Sequence, residues 1–149
     1  MKAIIVKRAR VRSIAVAILL GAIETVVAQR RAGLALDENA FAFATQLIKE
    51  GRSVPDGKGA WSEHKPSAQE ENEFIRLHGL GEYAKWHLGV DDHYPGNTKQ
   101  RYKFPYGDFK NVHRCALLAA KARARQYGYT EIENAAAELE RAMKVQSKK

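Results

Sequence analysis

A single cysteine, Cys115, is all the thiol chemistry in this 149-residue chain. Its solitude excludes an internal disulfide framework and any Cys-rich zinc motif. The chain has four prolines, 28% charged residues and 45% hydrophobic residues, a globular balance that excludes wholesale disorder. There is no glycine-rich phosphate loop, because Gly51, Gly57 and Gly59 lack both a preceding strand and the required spacing. There is no internal repeat, and no strand-period run of useful length stands out. The apolar run Ser13–Ile23 (SIAVAILLGAI) has 11 residues. A membrane-spanning helix needs about 20, so no transmembrane segment is expected.

What the chain does have is positive charge, a formal +8. Half of that excess lies early: Lys2, Lys7, Arg8, Arg10 and Arg12 against Glu24. Residues 1–33 therefore read as a basic and apolar leader, and the domain is expected to begin near Leu34. The expected location is cytoplasmic. The alternative is export, with Val26-Val27-Ala28 offering a cleavage point after Ala28. Residues 34–145 have the size of one domain, and residues 146–149 form a basic tail expected to be disordered.

The body reads as helices separated by clear punctuation. Asp37 can cap a helix through NAFAFATQLIKE that stops at Gly51. GRSVPDGKGAWSEHKP reads as a loop anchored by Trp61. Ser67 and Glu70 fit a capping box for a helix ending at Gly79. EYAKWHL suggests a short helix closing at Gly89. Asp108 is placed to cap a long helix from about Phe109 to Tyr127, with Gly128 as its stop. Thr130 and Glu133 suggest a second capping box, opening a final helix whose apolar face is Ile132, Ala135, Ala136, Leu139 and Met143. The expected fold is all-α: a small single domain of about five helices ending in an antiparallel helical hairpin.

On the long helix, Lys110, Arg114, Lys121 and Arg125 fall on one face at helical spacing. Ahead of it, Lys99, Arg101 and Lys103 alternate with Tyr102, Phe104 and Tyr106. Cations with interleaved rings can neutralise phosphates and stack bases. Arg101, Lys103, Lys110, Arg114, Lys121 and Arg125 are therefore the candidate contacts for an anionic partner, with nucleic acid leading.

Chemistry of other kinds finds less support. Five histidines invite a metal, but His113 and Cys115, two apart on a helix, would diverge by about 200°. Asp91, Asp92 and His93 have no second ligand pair with metal-site spacing. Neither a metal nor another cofactor is expected. Cys115, placed mid-helix, reads as packing rather than a nucleophile. An enzyme would need a pocket formed by His64, His87 and His93 with carboxylates such as Glu63 or Glu82. A protein adaptor would expose Trp61, Tyr83 or Trp86.

The phrases WSEHKPS, ENEFIRLHG, EYAKWHLG and RYKFPYGDFKNVHRC, spread between about Leu36 and Met143, resemble a family of small bacterial proteins of unknown function. Tyr102–Leu139 also looks like a short helical module of phage-related reading frames. The resemblance implies a recurring small domain and supplies no residue roles. The working expectation is a non-enzymatic interaction protein, with partner-protein adaptor and small enzyme as alternatives.

Overall fold

The computed structural model describes residues 33–147, so the leader up to residue 32 and residues 148–149 lie outside it. Along the chain run β1 (Leu34–Leu36), α1 (Glu38–Lys49), β2 (Ser53–Val54), α2 (Trp61–His64), α3 (Ala68–His78) and α4 (Leu80–Ala84). Then come β3 (His87–Asp91), a 3-10 turn (Lys99–Arg101), β4 (Tyr102–Pro105), β5 (Val112–His113), α5 (Arg114–Tyr127) and α6 (Thr130–Gln146). The fold is mixed α/β, which corrects the all-α expectation. β1, β3 and β4 form an antiparallel sheet with β3 in the middle, and β2 pairs parallel with β5.

Several helices begin where their caps require. Asp37 Oδ1 accepts from the amides of Asn39 and Ala40 at the start of α1. At α3 the full Ser67–Glu70 capping box is present. Gly128 closes α5 in the left-handed conformation that glycine adopts without strain. The predicted Thr130–Glu133 box does not form, since Thr130 is already inside α6 and its N-cap is Tyr129.

The strands occupy segments expected to be helix or loop. EYAKWHL divides, its first part in α4 and its last two residues opening β3. Tyr102–Pro105, read as a loop, is an edge strand of the sheet. Gly89 lets this pairing happen: a Cβ there would lie 3.0 Å from the Phe104 ring and 3.2 Å from Ile132.

α5 and α6 fold back on one another as an antiparallel hairpin, with Arg114 meeting Glu140 near one end and Arg125 reaching toward Glu133 near the other. The core lies between this hairpin, α1 and the sheet. It is built from Ala44, Leu47 and Ile48, Leu88, Tyr106, Leu117, and from Ile132, Ala136, Leu139 and Met143 of α6. Tyr106 is fully buried, and its hydroxyl donates to the Lys85 carbonyl. Among the described residues, no helix is long and apolar enough to cross a membrane.

Candidate metal centre

The parallel pairing of β2 and β5 brings two distant segments into step. Ser53 lies opposite Val112 and Val54 opposite His113. Two residues past the end of each strand, Asp56 arrives beside Cys115. The Cys115 amide donates to Asp56 Oδ1 at 2.7 Å. That amide is one of the free donors at the start of α5, so Asp56 caps this helix from 59 residues away in sequence.

The other carboxylate oxygen, Asp56 Oδ2, lies 2.7 Å from His64 Nδ1, 2.7 Å from His113 Nδ1 and 3.1 Å from Cys115 Sγ. His64 comes from the last residue of α2, a single turn that carries it over the strand pair. Cys115 Sγ and His64 Nδ1 are 3.7 Å apart. All four donor atoms lie within 4.8 Å of one another. Among the described residues, this is the one group of three or more His, Cys, Asp or Glu side chains that converges in this way. The side chains of Asp56 and His113 are each 8% exposed, Cys115 is buried and His64 is 37% exposed, so the site has one open side.

The electrostatics follow from this packing. Burial alone would raise the Asp56 carboxyl, but the Cys115 amide and then the bonds from His113, the thiol and His64 outweigh it and hold the pKa at about 2. The Cys115 thiol is pushed up to about 12, first by burial and then by the neighbouring Asp56 anion. A thiol in that state is not an activated nucleophile.

His113 has a second carboxylate behind it. Its Nε2 is 3.1 Å from Asp108 Oδ2, close enough for an ion pair but out of line for a hydrogen bond. Asp108 does not cap α5 as expected. Its Oδ1 accepts from the amides of Lys110 and Asn111, closing a tight turn, and Phe109 is left-handed at φ +67°. The long helix starts at Arg114, not near Phe109.

That shift explains the misreading of the ligands. His113 is the last residue of a strand and Cys115 the second residue of the helix, so the 200° divergence of a continuous helix does not apply. His113 is extended as the N-cap residue while Arg114 and Cys115 are already helical, and across this strand-to-helix junction both side chains reach Asp56. H-x-C at a strand end, together with Asp56 and His64 from one polar loop, was the available signal.

The six residues named for an anionic partner are distributed differently from the expected stripe. Arg114 and Lys121 both contact the buried Glu140, at 3.2 and 3.1 Å, and Lys144 joins them at 2.9 Å. Arg101 pairs with Asp92 at 2.6 Å, and Lys103 lies over the Tyr94 ring. Lys110 is exposed on the 108–111 turn rather than on α5. Arg125 is 81% exposed, with Glu133 at 4.0 Å.

His64, His87 and His93 do not come together in the pocket an enzyme reading required. His64 faces Asp56, His87 Nδ1 is 2.9 Å from the Tyr83 carbonyl, and His93 contacts Asp91. Of the adaptor aromatics, Tyr83 and Trp86 are buried, each 3% exposed. No protein-family model, curated protein or solved structure matches the chain, so its function has to be read from the site itself.

Proposed function

We propose that this protein binds a divalent transition metal of the zinc class through Asp56, His64, His113 and Cys115. The observation that carries the reading is the convergence of one oxygen, two imidazole nitrogens and one sulfur from two segments far apart in sequence. Mixed imidazole and thiolate donors suit zinc, cobalt or nickel, whereas magnesium and calcium take oxygen ligands.

The donor atoms, spread over at most 4.8 Å, would have to close by up to about an ångström at the widest separation to surround one ion. Tetrahedral donors bound at zinc distances sit roughly 3.3–3.8 Å apart. The Sγ to His64 Nδ1 separation of 3.7 Å already has that value. Asp56 Oδ2, at hydrogen-bond distance from the other three, would retreat by somewhat under an ångström, following from those bond lengths. Its carboxylate is anchored through Oδ1 to the Cys115 amide, so it stays pointed at the centre. Four protein ligands make a closed site, the arrangement of structural rather than hydrolytic zinc. Metal chemistry also changes the state of Cys115, since a coordinated thiol loses its proton outright.

Cobalt provides the test. Titrating the purified, chelator-treated protein with Co²⁺ is expected to give a one-to-one endpoint and a sulfur-to-cobalt absorption in the near ultraviolet. Cys115→Ser should remove that absorption, and His64→Ala should weaken binding at least tenfold. A wild-type protein that shows no saturable cobalt spectrum would contradict the reading.

A further inference from the structure

We infer that Asp108 is a positioning residue for the metal site, holding His113 in the one tautomer that can ligate through Nδ1. The inference rests on the metal reading above. An imidazole that binds a metal through Nδ1 keeps its remaining proton on Nε2, and metal-bound histidines regularly give that proton to a carboxylate. His113 is arranged in this way: Nδ1 faces the donor cluster and Nε2 faces Asp108 Oδ2. Without a metal, Nδ1 faces the Asp56 carboxylate as a donor; once an ion takes the place of that proton, the one that remains sits on Nε2, against Asp108 Oδ2. Nε2 is buried and makes no hydrogen bond, and the Asp108 carboxylate 3.1 Å away needs only to come into line to accept one.

The turn that presents Asp108 is built for the purpose. Oδ1 is used up by the Lys110 and Asn111 amides, leaving only Oδ2 for His113. Phe109 is held at φ +67°, a left-handed backbone state that is strained for a non-glycine residue. Its ring offsets this by stacking on Phe74, centroids 4.1 Å apart, and packing edge-on to Trp86. Gly107 precedes it where a Cβ would fall 2.5 Å from the Asn111 carbonyl oxygen and 2.6 Å from Trp86, so no other residue fits without moving the turn. Aromatic packing on both sides thus fixes a carboxylate whose free oxygen has one neighbour of consequence.

Asp108→Asn tests this. The amide oxygen can still close the turn, while the NH₂ group would face Nε2–H, donor against donor. Zinc affinity, measured by competition with a chromophoric chelator, is expected to fall about 10- to 100-fold. The metal-free variant should melt within a few degrees of the metal-free wild type. A purely structural role would reverse that pattern, lowering the melting temperature and leaving affinity within twofold. A second readout needs no variant. In the zinc-loaded wild type, long-range ¹H–¹⁵N spectra should show His113 as the Nε2–H tautomer. The Nδ1–H tautomer, or unchanged affinity in Asp108→Asn, would overturn the inference while leaving metal binding intact. A wild type that binds no zinc would overturn both.

Discussion

Asp56 accepts on two oxygens from a backbone amide, two imidazoles and a thiol, with its side chain only 8% exposed. Removing it by Asp56→Ala would strand the Cys115 amide and withdraw the shared partner of both rings. Loss of a buried charge partner of this kind costs roughly 3 kcal/mol, readable as a lower urea midpoint of the metal-free protein. Protonation has the same direction. A carboxylate held at about 2 stabilises the fold above its ordinary 3.8, and that contribution is lost as pH falls through this range.

His87 titrates in an earlier window. Burial holds its imidazole at about 4 against the usual 6.5, so the fold prefers the neutral ring. Its contribution is complete above pH 6.5 and is lost as pH falls toward 4, where the unfolded chain binds the proton first. Stability measured against pH should therefore decline in two stages, and His87→Phe should remove the upper one. The lower stage, from Asp56 and Glu140, should persist in that variant.

At the scale of elements, the helical hairpin depends on one carboxylate. Glu140 is buried on α6 and gathers Arg114 and Lys121 from α5 as well as Lys144 from its own helix. Burial would raise its pKa, but Lys144 and Lys121 hold it at about 2. Glu140→Gln keeps the shape and leaves three cations facing a neutral group. Because those cations are 30–57% exposed, the expected loss is about 1–3 kcal/mol, visible in thermal or urea unfolding. An unchanged midpoint would show that the three contacts are surface pairs of little worth.

Elements held by local rules were legible. α1, α3 and the buried face of α6 follow from caps and helical spacing, both of which act within a few residues. The strands are two to five residues long and depend on partners far away in sequence, so their signal is thin. The rings and cations alternating from Lys99 to Tyr106 have a strand's period of two, yet the segment reads as a loop because β4 takes up only four residues of it. The start of α5 was ambiguous for a specific reason. Asp108 and Asp37 make the same pair of bonds, to the second and third amides ahead, yet only Asp37 opens a helix. Phe109 turns left-handed and breaks the path. The true cap, Asp56, is non-local and gives no sign in the neighbouring sequence. That five-residue displacement is what hid the site, because it turned His113 and Cys115 from neighbours around Asp56 into apparent opposites.

For the whole molecule, the donor cluster joins the 56–64 loop to the junction of β5 and α5. The loop's single-turn helix contains no buried residue. Its attachment rests on the polar contacts of Asp56 and His64 and on the half-buried Trp61 beside the His113 ring, and an ion bound there would tie it directly to the core. Binding that favours the folded state stabilises by about 2.7 kcal/mol at a hundredfold excess over the dissociation constant. For a domain of this size that corresponds to a rise in melting temperature of roughly 10 °C. Saturating zinc should produce it in the wild type and not in Cys115→Ser.

Native mass spectrometry of the protein purified without added metal or chelator addresses the central claim most directly. One zinc-class ion per chain in the wild type, and none in a His64→Ala, Cys115→Ser double variant, is the predicted result. A wild-type chain that remains metal-free, and stays so after incubation with equimolar zinc, would contradict it.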